Sequence, residues 1–333
     1  MLIDCNKEGP TKWEDSLLPQ KTMTIDVIIP TYKPDEKLLT IISKLREQTV
    51  APNRIVLVNT EQKYLSNLLR GRKYDNYGKF FEIKNISLRE FDHGGTRNEG
   101  ARGSSADFLL FMTMDACPAD DRLIEKMLKA FEDQSIAAVY ARQLPNEDAS
   151  MGERFSRSFN YPEESFVKSA ADKERLGIKT YFCSNACAMY RREVFERLGG
   201  FPKDMIFNED MVFAHTLVEN GYSIAYAADA AVYHSHNYTN MQQFHRNFDL
   251  AVSQAMHPEV FDDVSSESEG RSYAKEAYRY FKEEGKTLYF LPFAVTCAFR
   301  LAGYKLGKNY KKLTKRQILR CTNSKVFFYK HWS

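Results

Sequence analysis

Four short segments of this 333-residue chain carry acidic, basic or imidazole side chains at spacings that suit chemistry, and the first covers residues 91–100 (FDHGGTRNEG). Its two adjacent glycines permit a tight turn with positive φ. Thr96 followed by Glu99 predicts a capping box and a helix that begins there. A helix N-terminus offers free N–H groups that suit a phosphate, and Arg97 adds a permanent cation. The segment predicts either a phosphate cradle or an ordinary capped helix.

A single carboxylate, that of Asp115, follows the apolar run 108–112 (FLLFM) by three residues. If that run is a strand of an α/β sheet, Asp115 lies at its carboxyl end, where ligands of such sheets bind. Hard divalent cations such as Mg²⁺ and Mn²⁺ prefer oxygen ligands of this kind. Asp115 is therefore a candidate metal ligand beside a diphosphate, and a plain turn residue is the alternative.

Two adjacent carboxylates, Glu209 and Asp210, lie within residues 207–211 (FNEDM). Asn208 is a suitable N-cap, and both acids would lie favourably in the first turn of the helix that follows. One of them can instead face a cleft and accept a proton from a hydroxyl nucleophile. The pair predicts either a stabilised helix start or a general base.

Two histidines, His234 and His236, end the segment 230–236 (AAVYHSH). Residues two apart in an extended segment share a face, so both imidazoles would point the same way. Neutral imidazole is a common metal ligand, although a structural or solvent-facing role is the alternative. Taken together, the four segments suit a transfer reaction on a nucleotide diphosphate, in which a metal ion and cations stabilise the leaving charge.

The elements that must position these side chains follow from the hydrophobic pattern. Apolar runs predict strands at 25–29, 54–58, 80–83, 108–112 and 137–140, with helical stretches between them, among them 38–45 and 121–132. Strands that alternate with helices predict an α/β fold with a mostly parallel sheet and crossover connections. The carboxyl edge of that sheet is where the chemistry is expected.

The domain organisation is predicted from a change of character along the chain. Residues 1–22 are predicted to be an N-terminal extension, residues 23–245 the α/β catalytic domain that contains the four segments, and residues 246–333 a helical, basic C-terminal region. The six scattered cysteines do not complete a zinc-site pattern, so free thiols are expected. The longest run without a charge or amide side chain, 287–299, has thirteen residues and is too short for a spanning helix. A cytoplasmic protein is expected.

The basic residues are unevenly distributed along the chain. Residues 285–333 contain eleven Lys or Arg and no Asp or Glu, which leaves 36 basic and 44 acidic residues elsewhere. Lysines and arginines beside Tyr289, Phe290 and Trp332 suit docking to an anionic membrane surface. A solvated basic face is the alternative. Binding to nucleic acid is not favoured, because no nucleic-acid recognition motif accompanies the basic residues. A homo-oligomer stays open.

The motifs together resemble family 2 glycosyltransferases of the GT-A fold, and within them the bacterial rhamnosyltransferase-like branch. The resemblance runs from Thr24 to Tyr238 and is carried by 28–32 (IIPTY), 91–98 (FDHGGTRN), 112–116 (MTMDA), 183–201, 208–211 (NEDM) and 234–239 (HSHNYT). It implies a Rossmann-like sheet flanked by helices and inverting transfer of a sugar, most simply L-rhamnose from dTDP-β-L-rhamnose. The acceptor that it implies is a hydroxyl of a lipid-linked glycan. The location that it implies is peripheral, at the inner face of the cell membrane.

The resemblance also implies roles for individual residues. The implied donor-binding residues are Pro30, Thr31, Tyr32, Asn59, Asp92, Gly95, Arg97, Asn98 and Met114. Asp115 would bind Mg²⁺ or Mn²⁺ together with His234 or His236. Asp210 would be the catalytic base, Glu209 would position the acceptor, and Arg142 and Asn185 would lie on the acceptor side.

The chain departs from the family pattern at two places. An Asp-rich turn that holds the nucleobase is replaced here by residues 58–61 (VNTE), with Asn59 or Glu61 as the substitutes. The metal motif has one aspartate, Asp115, where the family commonly has two. The alternatives are a UDP-hexose donor, a sugar nucleotidyltransferase and a catalytically inactive sugar-binding module. A nucleotidyltransferase would need a glycine-rich loop, which this sequence does not contain near the first strand.

Overall fold

The computed structural model describes residues 23–70, 80–262 and 267–332, so the predicted N-terminal extension lies outside the described residues. The described strands form one central sheet. They are β1 (Ile25–Tyr32), β2 (Arg54–Thr60), β3 (Phe81–Ile86), β4 (Phe108–Met112), β5 (Cys117–Pro118), β6 (Ile136–Leu144), β7 (Phe166–Lys168), β8 (Cys187–Arg191) and β9 (Ser223–Tyr233).

Helices cover both faces of this sheet. They are α1 (Glu36–Arg46), α2 (Gln62–Leu69), α3 (His93–Ala101), α4 (Leu123–Ala130), α5 (Met151–Asn160), α6 (Lys173–Leu176), α7 (Arg192–Arg197), α8 (Glu209–Glu219), α9 (Asn240–Met256), α10 (Pro258–Phe261), α11 (Glu267–Glu283), α12 (Phe290–Lys308), α13 (Lys315–Cys321) and α14 (Lys325–Trp332). Because side chains alternate along a strand, Val27 and Ile29 pack into the core under α1 and α4, whereas Ile28 packs into the core under α7 and α8.

The sheet order is β3-β2-β1-β4-β8-β6-β9-β5, with β7 also paired to β9. Strands β1 to β4 pair in parallel, and so do β6 and β9. Strand β8 lies antiparallel between β4 and β6, and the short strands β5 and β7 are antiparallel to β9. The prediction of an α/β fold is confirmed, and the sheet is mixed because β8 enters between two parallel groups.

This arrangement brings the predicted chemistry to one edge of the sheet. With β8 antiparallel to both of its neighbours, β6 and β9 run in the same direction as β1, β2 and β4. Their carboxyl ends therefore share an edge, and the amino end of β8 lies there too. Segments that follow Tyr32, Thr60, Met112, Leu144 and Tyr233 meet at this edge.

Helix α3 begins earlier than the sequence predicts, and the predicted capping box is wrong. Asp92 is the N-cap residue, and its Oδ1 accepts a hydrogen bond from the Gly95 N–H, whereas Thr96 lies inside the helix. Gly94 and Gly95 are helical and have no positive φ. Their role is close approach: a Cβ on Gly94 would lie 1.9 Å from the carbonyl oxygen of Pro202. The N-terminus of α3, where a phosphate cradle was one of the two predictions, is thus capped by the carboxylate of Asp92.

The C-terminal helices pack on the remainder of the chain. Helix α12 lies along α9, where a Cβ on Gly303 would lie 2.2 Å from the Phe244 carbonyl oxygen. The predicted boundary at residue 245 falls inside α9, and the division into domains stays a prediction. The helical character predicted for residues 246–333 is confirmed for the described part. Within that part, no helix has both the length and the apolar content that crossing a bilayer requires.

The described cysteines are free thiols, as predicted. Cys183 and Cys187 are buried, and Cys117, Cys297 and Cys321 are half-buried. Burial raises the pKa of the Cys183 thiol to about 12, which makes it an inert packing residue.

Candidate active site

The first functional group is the carboxylate of Asp210, in the first turn of α8. Its Oδ2 accepts a hydrogen bond from the Asn185 N–H at 3.1 Å, and its Oδ1 accepts one from the Met211 N–H at 2.8 Å. Asn208 occupies the N-cap position but makes no capping hydrogen bond through its side chain. Its left-handed backbone, with φ of 63°, instead turns the chain so that α8 starts at the cleft.

Glu209, the neighbour of Asp210, is held in a buried ion pair. It is 5 % exposed, and its Oε1 lies 3.1 Å from Arg97 Nη1 and accepts a hydrogen bond from Asn185 Nδ2 at 3.3 Å. Burial opposes the charged form of Glu209, but Arg97, His93 and the hydrogen bonds to its carboxylate together outweigh burial and hold the pKa of Glu209 below its usual range. Glu209 is therefore ionised, and its carboxylate is already engaged by the protein.

The environment moves the pKa of Asp210 in the opposite direction. Burial, followed by the negative charge of Glu209, raises the pKa of the Asp210 carboxyl well above its usual range. Two adjacent carboxyl groups with pKa values pushed apart are a feature of acid–base sites, because one stays ionised while the other exchanges a proton near the working pH. Asp210 has the properties of a general base.

The second functional group is a cluster of Asp115, His234 and His236. The Nε2 atom of His234 lies 3.4 Å from Asp115 Oδ1, and that of His236 lies 3.5 Å from Asp115 Oδ2. The three ligand atoms lie within 4.8 Å of one another, which fits one divalent cation. Gln143 Oε1 lies 2.8 Å from His234 Nδ1 and orients that imidazole. The shared face expected for the two histidines thus places both beside Asp115.

In this cluster Asp115 is stabilised in its charged form and His236 in its neutral form. Burial acts to raise the pKa of Asp115, but the hydrogen bond from His234 and the charges of both histidines hold it well below its usual range. Burial, together with His234, lowers the pKa of His236 to about 4. An ionised carboxylate offers an oxygen ligand and a neutral imidazole a nitrogen ligand, and both donor types bind divalent metal ions.

A cleft of about 390 Å³ connects the two groups. Asp210, His234 and His236 all line it, whereas Asp115 lines a different cavity together with Asn146 and Tyr233. Three arginines also line it, namely Arg157, Arg246 and Arg300. The cleft therefore combines a base, a metal-ligand cluster and cationic side chains, and it can hold a polar, anionic substrate.

A second cavity, of about 320 Å³, lies at the carboxyl ends of β1 and β2. Tyr32 and Thr60 line it from the sheet, Asp92 and His93 from the start of α3, and residues 323–327 from the C-terminal segment. This position is the edge where α/β proteins bind nucleotides.

Residues 26–199 match glycosyl transferase family 2. The chain is also 38 % identical over 299 residues to the O-antigen chain rhamnosyltransferase RfbN of Salmonella typhimurium. The aligned region covers 87 % of this chain and 91 % of that protein. The chain belongs to glycosyl transferase family 2. The O-antigen chain rhamnosyltransferase WbaN of Salmonella anatum is 38 % identical over 271 residues, with 80 % of this chain and 84 % of that protein covered.

Solved structures share the fold of this glycosyltransferase at low sequence identity. The mannosyltransferase PcManGT from Pyrobaculum calidifontis, in complex with GDP-Man and Mn²⁺, has a TM-score of 0.61 at 14 % identity and covers 91 % of this chain and 92 % of its own. TarS 1–349 of S. aureus, in complex with UDP-GlcNAc, has a TM-score of 0.51 at 14 % identity and covers 87 % of this chain and 92 % of its own. The GT-A fold predicted from the sequence is confirmed.

The residues that the sequence analysis predicts to bind the donor are divided between the cavities and the protein interior. Tyr32 is exposed and lines the cavity at β1 and β2, and Pro30 is half-buried in β1. The Thr31 hydroxyl donates to Asn59 Oδ1 at 3.2 Å, and Asn59 Nδ2 donates to Asn85 Oδ1 at 2.8 Å. Asn59 therefore ties β1, β2 and β3 together, and its side chain lines neither cavity.

Two further predicted donor residues of the glycosyltransferase connect α3 to the segment before α8. Asp92 Oδ2 accepts a hydrogen bond from the Met205 N–H at 2.9 Å, and Asn98 binds both the N–H and the carbonyl oxygen of Phe201. Met114 packs partly buried against the core, directly before Asp115. Glu61, the other predicted substitute for base recognition, accepts a hydrogen bond from the Leu88 N–H at 2.8 Å.

The acceptor-side predictions have different outcomes. Asn185 lies at the cleft and organises both carboxylates, as described above. Arg142 does not line the cleft: it pairs with Glu163 at 3.0 Å, and its strand neighbour Gln143 faces the cleft instead. Because side chains alternate along β6, only one of these two residues can point there.

The sequence reading missed several cleft residues. Gln143 lies near the carboxyl end of β6, so the rule that placed Asp115 at a strand end would also have found it. Arg157 donates to Gln143 Oε1 and pairs with Glu153 at 2.6 Å. Arg246 belongs to α9, and its presence in the cleft had no local sequence signal.

Proposed function

We propose that this glycosyltransferase transfers L-rhamnose, with inversion, from dTDP-β-L-rhamnose to a hydroxyl of a glycan acceptor during cell-surface polysaccharide synthesis. The observation that carries the proposal is one cleft lined by the Asp210 carboxylate and by His234 and His236, whose imidazoles contact Asp115. The 38 % identity to O-antigen chain rhamnosyltransferases supports the choice of sugar. A lipid-linked glycan is the acceptor class that fits this pathway.

Asp210 accepts the proton of the acceptor hydroxyl in this mechanism. The hydroxyl oxygen forms a bond to the anomeric carbon while the bond from that carbon to the diphosphate oxygen breaks on the opposite face, which inverts the configuration. A Mg²⁺ or Mn²⁺ ion held by Asp115, His234 and His236 would neutralise the negative charge of the departing diphosphate.

The role of Arg97 changes relative to the sequence prediction. Its guanidinium is buried, and its Nη1 atom contacts Glu209 and donates to the His93 carbonyl oxygen at 2.9 Å. We assign Arg97 to holding Glu209 ionised beside Asp210. We assign binding of the anionic donor instead to the cationic side chains that line the two cavities.

A nucleotide-sugar panel tests the proposed donor. Purified protein is incubated with dTDP-rhamnose, UDP-hexoses and GDP-mannose, with and without EDTA, and release of the nucleoside diphosphate is measured. Release of dTDP that EDTA suppresses is expected. Preferential UDP or GDP release would replace the donor, and pyrophosphate production from a nucleoside triphosphate would indicate a nucleotidyltransferase. Binding without release from any donor would indicate a sugar-binding module.

Association with an anionic membrane surface is the second part of the proposal. Near the start of α12, Leu288 is 90 % exposed and Leu291 71 % exposed, and Val295 and Leu301 continue the exposed apolar face. Lys305 is exposed on the same helix. An apolar stripe beside lysines suits the interface of a bilayer that contains anionic lipid.

Liposome sedimentation of the full-length chain tests this surface. Removing residues 285–333 would strip α12 from α9, so point variants are the better probe. Leu288→Ser with Leu291→Ser should reduce pelleting with anionic vesicles, because these side chains would enter the interface. Val167→Ser, at a 49 % exposed site on β7, is the control. Equal pelleting of all variants would remove the membrane role.

A further inference from the structure

One wall of the cavity at β1 and β2 comes from the basic C-terminal segment. Tyr32 and Thr60 form the side that belongs to the sheet. Residues 323–327 and Lys330, from α14 and the turn before it, form the opposite side. The two sides are more than 250 residues apart in the chain, so only folding brings them together.

The sheet side of this cavity contains a hydroxyl without a partner. Thr60 is 1 % exposed, and within the described part of the chain its Oγ1 atom makes no hydrogen bond. A buried hydroxyl that is left without a partner destabilises the folded protein. Because Thr60 lines the cavity, a ligand atom in the cavity can complete the hydrogen bond.

The C-terminal side of the cavity is held firmly in place. Phe328 is buried against Ile206 and Phe248, and Lys330 Nζ lies 2.9 Å from Asp204 Oδ1. The turn before α14 is anchored by Asp249, whose carboxylate accepts hydrogen bonds from Thr322 Oγ1, from the Asn323 N–H and from Ser324 Oγ. The wall is therefore a fixed part of the structure.

The chemistry of the lining matches a nucleoside diphosphate. Tyr32, Phe91 and Val326 supply aromatic and aliphatic surface of the kind on which a base packs. Arg89 and Lys325 are exposed at the cavity, and neither forms an ion pair with another described residue. Such cations suit phosphate oxygens.

We propose that α14 and the turn before it form the outer wall of the donor's nucleoside pocket. In this pocket Thr60 Oγ1 is hydrogen-bonded to the base, and Lys325 faces the diphosphate. The proposal rests on the proposed function, since it places the donor nucleotide at this edge. The basic C-terminal segment is then part of the donor site. Thr60 takes over base recognition at the turn where the Asp-rich family pattern is missing.

The first test is Thr60→Val, which keeps the shape of the side chain and removes the hydroxyl. Binding of dTDP to the full-length protein, measured by calorimetry, should weaken about tenfold. The melting temperature should stay the same or rise, because a buried hydroxyl without a partner is removed. A variant that binds dTDP as the wild type does would overturn the role of Thr60.

The second test fills the cavity from α14. Val326→Trp should weaken dTDP binding by about tenfold or more, because the indole occupies the space of the base. Tyr329→Trp, at a 56 % exposed position on the same helix that does not line the cavity, is the matched control and should bind normally. Lys325→Ala should weaken dTDP more than thymidine, whereas Lys311→Ala should affect neither.

A nucleotide comparison separates this inference from the identity of the donor. Wild-type protein and the same variants are titrated with dTDP, UDP and GDP. If the wild type prefers UDP or GDP, the donor is wrong, but Thr60→Val and Val326→Trp must still weaken the preferred nucleotide. Normal binding of that nucleotide by both variants, or no binding of any nucleotide by the wild type, would overturn the α14 wall.

Discussion

Replacing Asp210 by asparagine is expected to lower the turnover number for sugar transfer on the order of 10³-fold. The amide keeps the shape of the side chain but cannot accept the proton of the acceptor hydroxyl. Donor binding should remain close to that of the wild type, because the β1 and β2 cavity does not include Asp210. Steady-state kinetics, together with calorimetric binding of dTDP, check both halves of this expectation.

The pH dependence gives an independent measure of the same assignment. A base acts in its deprotonated form, so wild-type turnover should fall as the pH decreases through the pKa of Asp210. Burial and Glu209 raise that pKa, which places the acidic limb above the range of an ordinary carboxyl group. The residual activity of Asp210→Asn should lack this limb. Full activity, or an unchanged acidic limb, would assign the base elsewhere.

Replacing Asp115 by asparagine has the second large expected effect. The change removes the negative charge between His234 and His236, whose Nε2 atoms lie 3.4 and 3.5 Å from its oxygens. Hard cations depend on carboxylate oxygen, so Mn²⁺ binding and transfer should each fall on the order of 10²-fold. Mn²⁺ titration by electron paramagnetic resonance and donor turnover measure the two quantities separately.

A matched control for Asp115 is available on the same sheet. Asp229→Asn removes an exposed carboxylate from β9, five residues before His234, and should leave Mn²⁺ affinity and turnover unchanged. If Asp115→Asn retains wild-type Mn²⁺ affinity, the cluster does not hold the ion. If it loses Mn²⁺ but keeps full turnover, the ion has no part in transfer.

Much of the fold and of the candidate site was accessible from local sequence pattern. Apolar runs bounded by polar residues identified β1, β2, β4 and β6, and the rule that ligands lie at strand ends pointed to Asp115. The spacing of His234 and His236 predicted a shared face, because side chains alternate along an extended chain. These inferences need only neighbours within a few residues.

Predictions from local sequence pattern were wrong where a side chain interacts with residues that are distant in the chain. Thr96 and Glu99 match a capping box, yet Asp92 caps α3 because it also binds the Met205 N–H, 113 residues away. The adjacent glycines suggested a turn with positive φ, but both are helical, and Gly94 instead allows α3 to approach the backbone at Pro202. Strand register decided that Gln143, and not Arg142, faces the cleft.

The sequence by itself determined which residue types are available for chemistry and which edge of the sheet receives them, because strand and helix periodicity depends on near neighbours. Only the tertiary structure decided how they are used. It paired Arg97 with Glu209, separated the pKa values of Glu209 and Asp210, and placed α14 against the cavity at Thr60. Burial and contact between residues far apart in the chain produce these effects, and neither is visible in local pattern.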